Sequence, residues 1–160
     1  MQPDFLESFN RGKIGEEILD KFFSRWYLVE KSNPWQEKAG IDRVFTPKDK
    51  NQVSTGKLIE YKTDFRAAKT ERFYIEVLSH SQKHIPGWAY SSAADTIILF
   101  ACLEDKGRVY CVNTQQLRLT MPKWENYHIA HVQNSHYFGL GKLVPIREIA
   151  AISTKVLEVN

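Results

Sequence analysis

The sequence predicts an α/β fold. Three features of the sequence indicate this fold. Residues 14–26 carry apolar side chains at the spacing of an amphipathic helix. Residues 96–102 form a continuous apolar run, which is typical of a strand buried on both faces. Shorter strand-like segments, separated by turn-forming residues, supply the rest of the sheet.

The first element is a helix, which we expect over residues 4–25 with a break near Gly12. Gly15 would allow this helix to approach the sheet closely. Glu16 is the better candidate for a site at the helix–sheet boundary, whereas Glu17 should face water. Alternatively, both acids are ordinary first-turn or surface residues of the helix. At about 100° per residue, Gly15 is the centre of one broad apolar stripe, which contains Ile14, Ile18, Leu19, Phe22, Phe23 and Trp26.

A first strand and a hairpin are expected to follow this helix. The strand covers residues 27–30, and the hairpin strands cover residues 41–45 and 57–63. The segment 46–56 between the hairpin strands is dense in turn formers and almost free of apolar residues. This composition predicts a loop that returns the chain antiparallel to itself.

The hairpin is expected to bring together residues that could take part in catalysis. If the strands fold back about Asn51, Asp42 lies opposite Glu60 on the same face of the sheet. Glu60 and Lys62 also share that face, because alternate side chains of a strand point the same way. Two carboxylates and one amine are therefore expected to converge.

The second half of the chain supplies further strands and short helices. Residues 73–78 read as a strand whose one charge, Glu76, either joins the site or, as we favour, faces solvent. Gly139–Gly141 is expected to form a turn. The remaining elements are a short helix within 88–95, the buried strand at 96–102, its partner at 109–112, a helix at 114–119, and a terminal strand and short helix near 144–149.

The converging residues suit phosphodiester chemistry. Mg²⁺ prefers oxygen ligands and is usually held by one or two protein carboxylates, which Asp42 and Glu60 would supply. Such an ion lowers the pKa of a bound water and neutralises charge on phosphate. Lys62 would orient the water or stabilise the phosphate oxygens. The alternative is that Glu60 and Lys62 form an ordinary ion pair on an exposed strand.

Gly40-Ile41-Asp42 together with Glu60-Tyr61-Lys62 resembles the motif of the PD-(D/E)XK nuclease superfamily. The proline of the family's name is replaced by Ile41. The segment Gly12–Leu19 also resembles a Gly-x-x-Gly-Glu stretch found on the first helix of several branches of the superfamily.

This resemblance implies a restriction-endonuclease-like core, in which a central mixed β-sheet is flanked by helices. It also implies a Mg²⁺-dependent DNA endonuclease, with Mn²⁺ able to replace Mg²⁺. It implies that Asp42, Glu60 and the backbone carbonyl of Tyr61 ligate the metal, that Lys62 acts on water or phosphate, and that Glu16 assists. Small members usually cut double-stranded DNA as homodimers or higher homo-oligomers. The sequence does not distinguish between homing, restriction, junction-resolving and repair roles. A non-cleaving nucleic-acid-binding module that retains the nuclease fold is the alternative function.

Basic residues cluster in sequence around the predicted site. Their positive charges would bind phosphates on either side of a scissile bond, although solvated loops are also commonly charged. The candidate DNA-binding residues are Lys48, Lys50, Lys57, Arg66, Lys69 and Arg72.

Bulk properties fit a single domain over residues 1–160, with 42% hydrophobic residues and a formal net charge of +3. We expect a soluble, cytoplasmic protein without membrane contact, because no apolar run is long enough to cross a bilayer and no signal peptide is evident. Cys102 and Cys111 are expected to be buried, reduced thiols. The five histidines lack the spacing of a zinc motif, which disfavours a histidine-based metal site.

Overall fold

The computed structural model describes residues 3–51 and 55–160, with side chains described from residue 9 onward. The helices are α1 (Pro3–Phe23), α2 (Pro34–Lys38), α3 (Ala67–Thr70), α4 (Trp88–Ser91), α5 (Thr114–Thr120) and α6 (Ile146–Ile152), and a 3₁₀ helix spans Met121–Trp124. The strands are β1 (Tyr27–Lys31), β2 (Arg43–Pro47), β3 (Lys57–Asp64), β4 (Arg72–His80), β5 (Ile85–Pro86), β6 (Thr96–Leu103), β7 (Lys106–Asn113), β8 (Ile129–Gln133), β9 (Phe138–Pro145) and β10 (Ser153–Val159).

Six strands form a central mixed sheet in the order β1-β2-β3-β6-β7-β10. Strands β3 and β6 run parallel, and the other neighbours in this sheet run antiparallel. The predicted α/β fold with a central mixed sheet flanked by helices is thus confirmed. A second, antiparallel sheet in the order β5-β4-β9-β8 was not predicted from the sequence.

Strand β6 divides the hydrophobic core in two, as the prediction of burial on both faces requires. On one face, Ile98 and Phe100 pack in a cluster with Leu19 of α1. On the other face, Ile97 and Leu99 pack in a cluster that includes residues of the second sheet, α5 and α6. The central sheet therefore lies between α1 and the second sheet. One face of β3 is directed to α1 and the other face to the second sheet.

Three expectations about individual elements were wrong. Helix α1 continues through Gly12, because a glycine within a helix lowers stability by only about 1 kcal/mol and does not stop it. Gly139 and Gly141 lie within β9 rather than in a turn. A Cβ at Gly141 would lie 2.2 Å from the Tyr74 ring, so this glycine makes room for a cross-strand aromatic side chain. The chain also ends in strand β10, where a helix was expected to be the last element.

Gly15 provides the close approach between helix and sheet that the sequence predicts. A Cβ at this position would lie 2.1 Å from Thr63 Oγ1 and 2.6 Å from Thr63 Cβ, in β3. Gly12, on the same helix, has no atom within 4 Å of its Cβ position. The two glycines are thus a matched pair, one packed and one open.

We expect Gly15→Ala to lower the free energy of unfolding by about 1–3 kcal/mol, because the added methyl group overpacks the contact with Thr63. Gly12→Ala should raise it by roughly 0.5–1 kcal/mol, since alanine favours the helix and no neighbour obstructs it. Urea denaturation of both variants measures the difference. Equal effects of the two substitutions would contradict the close packing of α1 on β3.

Both cysteines are free and buried, which confirms the prediction of reduced thiols. Within the described residues, no helix is long and apolar enough to cross a bilayer.

Candidate active site

The hairpin has the register that the sequence predicts. Strands β2 and β3 pair Arg43 with Ile59 and Phe45 with Lys57, and one further step sets Asp42 opposite Glu60. Strand β2 begins at Arg43 instead of residue 41, so Asp42 lies just beyond the regular ladder. The Asp42 N–H donates to the Ile59 carbonyl over 2.8 Å, and Asp42 Oδ2 accepts the Tyr61 N–H over 2.7 Å. These bonds fix the Asp42 carboxylate beside β3.

Glu60 and Lys62 lie on the face of β3 that looks toward the second sheet. They are the parallel-register partners of Ile97 and Leu99, which face the same side. The Lys62 ammonium lies 2.6 Å from Glu60 Oε1. The side chain of Glu60 is only 4% exposed, whereas that of Lys62 is 34% exposed. A buried acid is thus joined to an amine that reaches solvent.

The second oxygen of Glu60 has no hydrogen-bond partner among the described residues. The Ser92 hydroxyl is close, but its single proton is donated to the Gly40 carbonyl over 2.7 Å. Gly40 has a φ of +73°, and a Cβ there would lie 3.2 Å from Glu60 Oε2. Glycine therefore keeps the space beside the unpartnered oxygen free of a side chain.

Burial raises the pKa of Glu60 above its ordinary value, and the nearby Asp42 charge adds to this effect, while Lys62 opposes it. A buried carboxylate with one unpartnered oxygen is costly, since desolvation disfavours the charged form. A cation bound at Oε2 would offset that cost. Burial, a raised pKa and a charged partner are together the features by which candidate functional sites are recognised.

The structure does not bring Glu16 to the Glu60 face. Arg43 is paired with Ile59 and points toward α1, where Arg43 Nη2 donates to Glu16 Oε2 over 2.8 Å. Glu16 is consequently engaged on the opposite face of β3, and direct help to a metal at Glu60 is not supported by its position. The exposed Glu17 has the water-facing position that the helix geometry predicts.

A buried arginine, which was not predicted from the sequence, links α1 to both motif strands. Arg43 is 5% exposed and donates to both carboxylate oxygens of Asp20. It also donates through Nη1 to the Asp42 carbonyl over 2.8 Å, and the Tyr61 hydroxyl donates to Asp20 Oδ1 over 3.1 Å. Burial opposes the charge of Arg43, but its bonds to the two acids raise its pKa. Asp20 lies one helical turn after Glu16, and this spacing is the signal in the sequence.

Glu76 comes toward the site from the second sheet. Its Oε1 accepts the Trp88 N–H over 3.2 Å. Burial raises the pKa of Glu76, an effect that the Glu60 charge reinforces and that Lys62 and the Trp88 bond oppose. The favoured interpretation, that Glu76 faces solvent, is therefore wrong, and the alternative placement near Glu60 and Lys62 is the observed one.

The basic residues do not form one cluster. Lys48 and Lys57 line a cavity of about 530 Å³ at the start of β3, and Lys48 donates to the Ser24 carbonyl. Arg72 lines a second cavity of about 1240 Å³ elsewhere on the chain. Neither cavity is lined by Asp42, Glu60 or Lys62. The other predicted cations, Lys50, Arg66 and Lys69, are exposed.

The oxygen atoms of the candidate site suit a hard cation that needs few protein ligands. In residues 3–51 and 55–160, no group of three or more His, Cys, Asp or Glu side chains is arranged around a metal position. Mg²⁺ does not need such a group, since water and phosphate complete its shell. Because the N–H and C=O of a strand residue point the same way, the Tyr61 carbonyl faces the side where its N–H meets Asp42. Asp42, Glu60 Oε2 and this carbonyl are the available oxygens.

Comparison with protein-family models, with curated proteins and with solved structures found no match. The functional interpretation therefore depends on the geometry of the site itself.

Proposed function

We propose that this protein is a cytoplasmic, Mg²⁺-dependent endonuclease with a restriction-endonuclease-like core that hydrolyses phosphodiester bonds of double-stranded DNA. One observation carries the proposal. Among the described residues, Glu60 is buried with one oxygen unpartnered, between Asp42 just before the neighbouring strand and Lys62, whose side chain is about one-third exposed. This combination offers a cation two carboxylates and offers a phosphate one ammonium group.

Asp42 and Glu60 would hold the metal, with the Tyr61 carbonyl as a third oxygen ligand. When bound, Mg²⁺ or Mn²⁺ supplies Lewis acidity and lowers the pKa of a coordinated water. Lys62 would donate to a non-bridging phosphate oxygen or to the attacking water, because its ammonium reaches solvent beside Glu60. Glu16 and Asp20 would act through Arg43, which holds the Asp42 backbone in place.

DNA would be bound by cations on both sides of the site. Lys57 precedes Glu60 on β3, and Arg66 follows Lys62 at the other end of the strand. Phosphate neutralisation by such residues gives affinity without sequence preference. We further propose that a homodimer or higher homo-oligomer cuts both strands, with one site per strand. The remaining candidates for DNA contacts are Lys48, Lys50, Lys69 and Arg72.

Incubation of the protein with a randomised pool of duplex and branched DNA tests the function. We expect cutting in Mg²⁺ or Mn²⁺ and none in EDTA, and the sequenced ends would report site length and symmetry. Binding without cutting in either metal would contradict the nuclease and favour the non-cleaving nucleic-acid-binding module. Neither binding nor cutting would overturn both functions.

A further inference from the structure

The carboxylate of Glu76 is directed toward the proposed site although its strand belongs to the second sheet. Its Oε1 accepts the backbone N–H of Trp88, the first residue of α4, over 3.2 Å. The Lys62 ammonium lies 5.8 Å from the centre of the Trp88 ring. One short helix thus connects the second-sheet acid with the lysine on the central sheet.

Two carboxylates interact with the Lys62 ammonium. Glu60 is in ion-pair contact at 2.6 Å, whereas Glu76 is beyond ion-pair distance but near enough for each charge to affect the other. The unpartnered Oε2 of Glu60, on a side chain that is 4% exposed, points to a ligand at the same place. If Glu60 binds a cation, its attraction for the Lys62 ammonium weakens, and the Glu76 carboxylate still attracts the ammonium from the second sheet.

We propose that Glu76 is a positioning residue of this site, whose negative charge holds the Lys62 ammonium in place for a phosphate once Glu60 has bound a cation. The proposal rests on the proposed nuclease function. Trp88 has a complementary role, because its ring lies beside the ammonium and its backbone fixes the Glu76 carboxylate. The two sheets would then each contribute acids to one site.

Glu76→Gln separates the charge from the structural contact, since glutamine keeps an oxygen that accepts the Trp88 N–H. We expect a melting temperature that is not lowered, an unchanged KM for duplex DNA and a kcat lowered about tenfold or more. Glu76→Asp, which keeps the charge, should recover part of that loss. Glu30→Gln, at an exposed position of β1, which is separated from β3 by β2, is the matched control and should leave kcat unchanged.

A second measurement does not depend on cutting. With Mg²⁺ bound, the ¹⁵Nζ resonance of Lys62 should be visible by NMR in the native protein, because a held ammonium exchanges its protons slowly, and lost in Glu76→Gln. If native protein cuts no DNA but shows this difference, the nuclease proposal fails and the role of Glu76 stands. An unchanged kcat together with an unchanged Lys62 resonance in Glu76→Gln would overturn the role of Glu76.

Discussion

Glu60→Gln is expected to abolish DNA cleavage while making the metal-free protein more stable. Cleavage should fall by about 100-fold or more, because one of two charged metal ligands is lost. The free energy of unfolding in EDTA should rise by about 1 kcal/mol, since the substitution removes a buried charge with an unpartnered oxygen. Single-turnover cleavage and denaturation in EDTA measure the two effects.

The pH dependence of stability gives the same prediction a second test. A carboxyl whose pKa is raised in the folded protein binds more protons folded than unfolded. Its stabilising contribution is complete below the ordinary glutamate pKa of about 4.5 and is lost as the pH rises through the raised value. Metal binding needs the deprotonated form, so cleavage should decline with acidification at a pH above 4.5. In Glu60→Gln, this component of the stability profile should be absent.

Glu158→Gln is the matched control for Glu60→Gln. Glu158 is also paired with a cation, Arg108, but its side chain is 56% exposed. Its replacement should change neither cleavage nor stability, because exposed ion pairs contribute little. A loss of stability in Glu60→Gln, or full cleavage by it, would contradict the role of Glu60 as a desolvated metal ligand.

Arg43→Met is expected to lower the free energy of unfolding by about 3 kcal/mol. Removing the guanidinium leaves the Asp20 and Glu16 carboxylates without their shared partner and frees the Asp42 carbonyl. The effect should be at the lower end of the range for broken buried pairs, because the side chains of Asp20 and Glu16 are 28% and 38% exposed. Denaturant unfolding at neutral pH gives the measurement.

Arg43→Met should also weaken Mg²⁺ binding, since the Asp42 backbone loses a bond that holds it beside β3. Arg108→Met is the control, because Arg108 forms its ion pair with Glu158 at the surface. No measurable change in Mg²⁺ binding or in stability is expected for Arg108→Met. If Arg43→Met were as stable as Arg108→Met, the network would be a surface ion cluster rather than a support of the site.

The local features of the site followed well from the sequence. The turn-rich loop about Asn51 predicted the pairing of Asp42 with Glu60, since loop composition and strand alternation are both local properties. The close approach at Gly15 followed from the helical stripe in the same way. Strand β6 was predictable because burial on both faces produces a continuous apolar run.

Long-range contacts were not predictable in the same manner. The second sheet pairs β4 with β9, whose sequence contains Gly139 and Gly141 and therefore resembles a turn. Glycine suits this strand only because Tyr74 lies across it, which is a tertiary contact. The position of Glu76 depends on that sheet, so its place near Glu60 and Lys62 was not the favoured interpretation. Glu16 lies at the helix–sheet boundary as predicted, but its bond to Arg43 was not predicted.

Cleavage by the native protein and by Asp42→Asn, compared side by side in Mg²⁺ at equal DNA occupancy, tests the central claim most directly. Asparagine keeps an oxygen that accepts the Tyr61 N–H, so the fold should be retained while the metal loses a charged ligand. We expect Mg²⁺-dependent cutting by the native protein, and binding without cutting by Asp42→Asn. Equal cutting by both proteins would contradict a metal site formed by Asp42 and Glu60.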